Sequence, residues 1–199
     1  MNFLAHIYLS GDVDDIIIGN FIADGIRGKR YLKYPEGIQK GILLHRQIDT
    51  FTDAHPTVRQ STKRLHKNYS HYSGVIVDIL YDHFLAKNWQ NYSNIPLEDF
   101  AQDFYKMIEN NFDILPLRTQ NMMPHMIAGN WLVSYSTIDG IQKVLEGMNR
   151  RTKHISGMNK ATIELRQHYF EFEAEFKSFF DELILFSKKS LADIEYKFN

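Results

Sequence analysis

One short stretch of the chain, His45 to Asp53, concentrates side chains that can do chemistry. It holds an imidazole, a guanidinium and two carboxylates, directly after an apolar run. If residues 36–52 form a helix, His45 and Asp49 are i,i+4 neighbours on the face that continues from Ile38. Polar groups on a core-facing stripe need partners, because a buried polar group without one is costly. A metal ion is one partner that suits both side chains.

Three further predicted helices also carry polar residues on apolar faces. These residues are Asn2 and His6 in the first helix, Asp24 in the second with Asn20 one turn above it, and Asp78, Asp82 and His83 in the fifth. Taken singly, each residue has an ordinary explanation, such as a hydrogen-bonded core histidine or a solvated carboxylate. If the four faces converge, they form a His/Asp cluster inside a helical bundle. Imidazole and carboxylate ligands without thiolate suit Mn²⁺, Mg²⁺, Fe²⁺ or Zn²⁺, and such a cation can polarise a phosphoryl oxygen.

The elements that position these residues are predicted to be helices, packed into one all-α domain over residues 1–199. Proline and polar breaks separate the predicted helices, which are 2–9, 13–23, 35–52, 56–67, 74–89, 96–112, 130–135, 141–148 and a long C-terminal helix at about 164–189. Pro116 and Pro124 are expected to fragment the segment between the sixth helix and residue 130. Predicted N-caps are Asp12, Ser73 and Ser136, the last in a capping box with Asp139. The Phe-rich C-terminal helix and Trp89 are expected to be core.

Composition limits the classes of function. The 199 residues have a net charge of -1, so a charged partner must be met by a local patch. There are no cysteines, which excludes thiolate sites and suits a reducing cytosol, so a cytoplasmic location is expected. The N-terminus lacks the basic region of a signal peptide, and no apolar run is long enough to span a bilayer. No membrane partner is therefore expected.

A basic strip follows the candidate metal site. Arg59, Lys63 and Lys67 are spaced i, i+4 and i+8 on the predicted fourth helix. The simplest interpretation is a solvated helix face, and the functional interpretation is a contact for an acidic partner. The aromatic interleaving of a single-strand nucleic-acid platform is weak here, so no nucleic-acid partner is expected. The sequence does not predict an oligomeric state.

The same polar residues resemble the acyl carrier protein phosphodiesterase family, over about residues 1–151. The resemblance is carried by Asn2-Phe3-Leu4-Ala5-His6, Gly19-Asn20, Ala23-Asp24, Arg27-Gly28, Gly41, His45-Arg46, Ile48-Asp49, Thr52-Asp53, Asp82-His83-Phe84-Leu85, Trp89, Trp131-Leu132, Tyr135, Ile141, Val144-Leu145 and Gly147-Met148. It implies hydrolysis of the phosphodiester between 4′-phosphopantetheine and a serine of holo-acyl carrier protein, within fatty acid metabolism. It also implies a divalent cation, Mn²⁺ above others, and an acidic protein substrate that gives the basic strip a role.

The resemblance further implies an HD-phosphohydrolase-like bundle, because the family is regarded as distantly related to that group. The HD group is named for a His-Asp dipeptide, and this chain has none; it has Asp82-His83 in reversed order. The ligands are therefore predicted from helix geometry instead. The predicted metal ligands are His6, Asp24, His45 and Asp82.

Four further roles are predicted around these ligands. Arg46 is the candidate phosphate clamp, since guanidinium pairs bidentately with phosphate oxygens. Asp49 is expected to bind the metal or to orient a ligand, and Asp78 to orient one. His83 points about 100° away from Asp82 on a helix and is assigned as a ligand, an orienting group or a general acid.

Two alternatives stay open at this stage. One is a metal-dependent phosphohydrolase that acts on a nucleotide or another small phosphoester. The other is a non-catalytic helical module that binds carrier proteins and whose polar cluster is structural.

Overall fold

The computed structural model of the chain describes residues 2–198. Every regular element in this range is helical and no strand occurs in it, so the all-α prediction is confirmed. Short 3-10 turns join several of the α-helices. The α-helices of the described range are α1 Phe3–Tyr8, α2 Asp14–Ile22, α3 Glu36–Ala54, α4 Pro56–Tyr69, α5 Ser73–Lys87, α6 Leu97–Asn110, α7 Leu117–Ala128, α8 Trp131–Ser134, α9 Ile138–Arg151, α10 Thr162–Gln167 and α11 Tyr169–Phe198.

Proline residues mark the start of four helices. Pro35, Pro96 and Pro116 each precede the first residue of a helix, and Pro56 is the first residue of α4. Proline suits the first turn because its φ is fixed near the helical value and its missing N–H has no intrahelical partner there. Pro124 does not interrupt the helical structure as predicted, because it lies inside α7.

The N-caps of three helices lie one residue away from the predicted positions. Asp12, Ser73 and Ser136 are predicted as N-caps, but the N-cap positions are occupied by Val13, Tyr72 and Thr137. Of these three, only Thr137 caps with its side chain, and its Oγ1 accepts a hydrogen bond from the Gly140 N–H at 3.0 Å. Glycine at that third position cannot return a side-chain bond, so the predicted capping box is wrong.

The C-terminal helix starts later and ends later than predicted. The single predicted helix at 164–189 is divided into α10 and α11 by His168, whose φ of -122° and ψ of 35° are not helical. The helix α11 then continues to Phe198. Four of its phenylalanines are fully buried, as expected of a core helix: Phe172, Phe176, Phe179 and Phe180.

Helices α2 and α3 lie in direct backbone contact. A Cβ added at Gly19 would collide with the Ile38 carbonyl oxygen, and one added at Gly41 would collide with the Ile16 carbonyl oxygen. The two Cα atoms face each other at the crossing, so only glycine fits at either position. This close approach brings the side chains of α2 next to those of α3, and both helices contribute to the candidate site.

One cluster of buried apolar side chains draws on all eleven α-helices of the described range. The cluster includes Trp89, which is buried as predicted. Such a continuous core supports the prediction of a single domain. Among the described residues, no helix is long and apolar enough to cross a membrane.

Candidate metal centre

Helix α3 presents two polar groups on one buried face, as its sequence predicts. His45 is 6% exposed, and its Nε2 lies 3.0 Å from Asp49 Oδ2, four residues along the helix. Thr52 and Asp53 continue the same side of α3 and line the cavity that the pair faces. The i,i+4 spacing thus sets His45 beside Asp49 without help from any other element.

Helix α1 brings a second imidazole onto the first. The His6 and His45 rings stack with their centroids 4.0 Å apart and their planes 22° from parallel. His6 Nε2 lies 3.3 Å from Asp49 Oδ1, so Asp49 reaches both rings. One ligand atom from each of His6, His45 and Asp49 lies within 4.8 Å of the other two, which is close enough for all three to hold one ion.

Asn20, on α2, fixes the orientation of both rings. Its Oδ1 accepts from the Nδ1 atoms of His6 at 2.8 Å and of His45 at 3.1 Å. Its Nδ2 donates to the His6 carbonyl and to Ser10 Oγ, which assigns the amide orientation because a carbonyl only accepts. Both Nδ1 atoms therefore carry protons. The Nε2 atoms are left facing Asp49, and a neutral imidazole with Nδ1–H offers Nε2 as the metal-binding atom.

One observation in particular supports a metal ion at this cluster. His6 Nε2 is buried and makes no hydrogen bond with any described residue, although Asp49 Oδ1 lies 3.3 Å away. Burial, together with the charge of His45, lowers the pKa of His6 to about 4, so the ring is neutral at pH 7 and Nε2 keeps its lone pair. A buried acceptor without a donor is costly, and a cation at this point would satisfy it.

The charges around the cluster also favour a cation. Burial lowers the pKa of His45, but the hydrogen-bonded carboxylates of Asp24 and Asp49 outweigh it and raise the pKa to about 9. The pKa of Asp24 is lowered by its hydrogen bond to His45. Burial alone would raise the pKa of Asp49, but the two imidazoles bring it well below its usual range. The same carboxylates that stabilise a proton on His45 would also stabilise a divalent cation at this place.

Asp24 reaches this cluster from a turn and not from a helix. The sequence predicts it on the face of the second helix, but α2 ends at Ile22 and Asp24 lies in the 3-10 turn Ala23–Gly25. Its Oδ1 is 3.3 Å from His45 Nε2, and its side chain is 73% exposed. Asp24 thus lies at the solvent side of the cluster, where it lines the mouth of the cavity.

Asp82 and His83 lie elsewhere, and neither lines the cavity within the described residues. The fully buried Asp82 carboxylate accepts from the Leu4 N–H at 2.8 Å and the Asn2 N–H at 3.2 Å, so it caps the N-terminus of α1. His83 Nδ1 donates to the Tyr135 carbonyl at 2.8 Å. All three of these partners lie far from α5 along the chain. The metal role of Asp82 and the catalytic role of His83 stay predictions, and the geometry gives both side chains structural partners.

Arg46 also has partners outside the cluster. Its Nη2 donates to the carbonyls of Ile26 and Gly28 at 2.9 and 2.8 Å, and its guanidinium lies over the Tyr31 ring. As the neighbour of His45 on α3 it points about 100° away, toward the segment that follows Asp24. Arg46 therefore anchors that segment, and its role as a phosphate clamp stays a prediction.

Two adjacent hollows connect the cluster with the basic strip. The cavity at the cluster has a volume of about 350 Å³ and is lined by Asn2, Asp24, His45, Asp49, Thr52, Asp53, Val75, Asp78, Ile79 and Met148. The second hollow, about 590 Å³, is called here the basic groove because Arg59, Lys63, His66 and Lys67 line it. Asp53 and Asp78 line both. The predicted basic strip therefore borders the candidate metal centre directly.

Comparison with known proteins identifies the family of the chain. The family model described as "Acyl carrier protein phosphodiesterase" matches residues 1–183. The chain belongs to this family. The match extends beyond residue 151, the predicted limit of the likeness, and includes part of α11. No solved structure matches the chain, so the relation to HD phosphohydrolases stays a prediction.

Curated relatives with the name acyl carrier protein phosphodiesterase cover nearly the whole chain. The protein of Pectobacterium atrosepticum is 32% identical over 94% of this chain and 98% of its own length. That of Yersinia pestis is 33% identical over 92% of this chain and 96% of its own. That of Photorhabdus laumondii is 33% identical over 90% of this chain and 91% of its own.

Sequence reasoning missed the role of Asn20 in this family member. The signal was present, because Asn20 is a polar residue in the apolar run of α2 and is fully buried in the structure. It also missed Met148 as part of the cavity wall. Met148 lies on α9, far along the chain from the other wall residues, and no spacing rule links it to them.

Proposed function

We propose that this chain is a metal-dependent phosphodiesterase that acts on holo-acyl carrier protein. The bond cleaved joins 4′-phosphopantetheine to a carrier serine, and the products are apo-acyl carrier protein and 4′-phosphopantetheine. Membership of the family and the names of the relatives support the substrate. The observation that carries the metal requirement is the buried Nε2 of His6, which has no hydrogen bond in the described chain and lies within 3.3 Å of Asp49.

His6, His45 and Asp49 would hold the ion, and Asn20 would keep both imidazoles oriented toward it. Two imidazoles and a carboxylate suit a divalent cation such as Mn²⁺, Mg²⁺, Fe²⁺ or Zn²⁺. The family resemblance favours Mn²⁺ among them. A divalent cation there supplies Lewis-acid polarisation of a phosphoryl oxygen. Asp24, at the solvent side, is the further carboxylate available to the ion or to an attacking water.

In the reaction, a water oxygen bonds to phosphorus and the bond from phosphorus to the serine oxygen breaks. The serine oxygen leaves with a proton, and the phosphate stays on the pantetheine arm. The basic groove borders the cavity through Asp53 and Asp78, so a carrier protein bound at Arg59, Lys63 and Lys67 would bring its serine to that border. We assign these three basic residues to the contact with the acidic carrier.

The test is His45→Ala, assayed by release of 4′-phosphopantetheine from holo-acyl carrier protein with Mn²⁺ present. We expect turnover to fall at least about a hundredfold, since even loss of a residue behind the ligands costs 10- to 100-fold. His125→Ala, at an exposed histidine of α7, is the control and should keep full turnover. Near-normal turnover of the His45 variant would contradict the proposal. A nucleotide panel assayed in parallel separates this substrate from other phosphoesters.

A further inference from the structure

The cavity at the metal centre has one polar side and one apolar side. The polar side is built by α3 and the turn that holds Asp24, with His45 and Asp49 at its base. The apolar side is built by Val75 and Ile79 of α5 and by Met148 of α9. Asp78, also on α5, lines the same cavity where it borders the basic groove. Val75 and Ile79 are i,i+4 neighbours, so they present one face of α5 to the cavity.

The apolar side is open to an occupant of the cavity. Val75 is 37% exposed and Met148 is half-buried, whereas Ile79 is 1% exposed and supports them from the core. An apolar group that covers these exposed side chains would bind favourably, because it removes their apolar surface from water. A methionine at such a wall adapts its shape to an irregular ligand because its side chain is unbranched and flexible.

The substrate proposed above carries an apolar group at the corresponding place. In 4′-phosphopantetheine the ester CH₂ is bonded to a quaternary carbon that bears two methyl groups, three bonds from phosphorus. A phosphate held at the His/Asp cluster would therefore bring these methyl groups into the same 350 Å³ cavity. The serine side of the phosphodiester has no such group.

We propose that Val75, Ile79 and Met148 form a subsite for the dimethyl-substituted carbon of the pantetheine arm. This inference rests on the proposed function and adds the residues that select the arm. The three residues line the cavity but not the basic groove; of residues 2–198, Asp53 and Asp78 line both. In this arrangement the carrier protein binds in the groove, and the arm extends past the shared border into the cavity, where it contacts these three residues. A nucleotide has a polar ribose at the position of the quaternary carbon and gains nothing from this wall.

The experiment compares two holo-acyl carrier proteins, one with the natural arm and one with a synthetic arm that lacks the two methyl groups. For the wild-type protein with Mn²⁺ we expect kcat/KM to be at least about tenfold higher for the natural arm, as for other groups bound in apolar pockets. In the double variant Val75→Thr, Met148→Gln the ratio of kcat/KM for the natural arm to that for the arm without methyl groups should fall to about threefold or less. Polar atoms of the two new side chains then face the methyl groups. Calorimetry with free 4′-phosphopantetheine should show the same loss in affinity.

The control is Val13→Thr, the same substitution at an exposed valine before α2, which should leave the ratio unchanged. Equal kcat/KM for both arms in the wild-type protein overturns the subsite, and this outcome needs no variant to fold. An unchanged ratio in the double variant also overturns it. No cleavage of either carrier protein by the wild-type protein overturns the proposed function instead.

Discussion

At the scale of single residues, the candidate site depends on one amide. The sequence predicts the pairing of His45 with Asp49, because their spacing on one helix fixes it. It does not predict that Asn20 Oδ1 bonds both imidazoles at 2.8 and 3.1 Å, because that contact needs α1, α2 and α3 at their observed crossings. The metal role of Asp82 and the catalytic role of His83 stay predictions, and the structural partners of these side chains could not be predicted for the same reason. Their spacing is local, but their partners are distant in the chain.

Replacement of Asn20 by Leu tests the role of the amide. The variant keeps the size of the side chain but removes the acceptor of both Nδ1–H groups. We expect the affinity for Mn²⁺ to fall about 10- to 100-fold, as for other residues that orient metal ligands. We also expect the neutral His6 ring to shift toward the Nε2-protonated form. Calorimetry measures the affinity, and ¹⁵N NMR of the metal-free protein measures the tautomer.

Two comparisons make this test specific. Asn20→Asp keeps an acceptor for the two rings, so it should restore the Nδ1-protonated form of His6 even if the fold is weakened by loss of the Nδ2 donors. Asn88→Leu, at a half-buried asparagine that follows α5, should change stability without changing Mn²⁺ affinity. Wild-type affinity and tautomer in Asn20→Leu would show that the amide only fills space.

At the scale of elements, the sequence predicts most of the helices but not the contacts that hold them to one another. Proline positions indicate where α3, α4 and α6 begin, since proline suits a first turn. The glycines at the α2–α3 crossing and the anchoring of α1 could not be predicted, because each depends on a backbone brought there by the fold. The helix α1 has only six residues, and its N-terminus is fixed by Asp82 of α5. The position of His6 therefore depends on a carboxylate outside the cavity.

The Asp82 carboxyl should make stability depend on pH. Burial is the largest effect on the pKa of Asp82 and raises it. The hydrogen bonds from the Leu4 and Asn2 N–H groups lower the pKa, and the nearby Asp78 raises it, with a net value of about 7. The unfolded chain has a pKa of 3.8 at this residue, so between pH 4 and 7 the native state holds more protons than the unfolded state. Stability from this group is present below pH 4 and is lost as the pH rises through 7, by at most about 4 kcal/mol.

Asp82→Asn removes this titration and tests its sign. Relative to wild type, the free energy of unfolding of the variant should increase between pH 4 and 7, even if the variant is less stable at pH 4 through loss of one acceptor. Urea unfolding at several pH values measures the difference. Asp103→Asn, which removes an exposed carboxylate from α6, is the control. A difference that stays constant or decreases over this pH range would show that the pKa of Asp82 is not raised.

At the scale of the whole molecule, two cavities with side chains of opposite charge lie next to each other. The net charge of -1 conceals an acidic cavity with Asp24, Asp49, Asp53 and Asp78 and a basic groove beside it. The sequence predicts the basic strip from its i, i+4 and i+8 spacing on one helix. It does not predict that the strip borders the metal centre, because that proximity is created by the packing of α4 against α5. The proposed function therefore places the acidic protein substrate at the groove and the cation in the cavity.

Charge reversal in the groove separates these two attractions. In Lys63→Glu we expect kcat/KM for holo-acyl carrier protein to fall about tenfold at low salt, mainly through slower association. The loss should diminish above 0.1 M salt, where the screening length is about 10 Å. Hydrolysis of bis(4-nitrophenyl) phosphate, which has no acidic protein attached, should be unchanged because the metal centre is intact. Lys106→Glu, on the exposed face of α6, changes the net charge equally and should affect neither substrate. An equal loss in Lys63→Glu and Lys106→Glu would mean that overall charge, and not the groove, attracts the carrier protein.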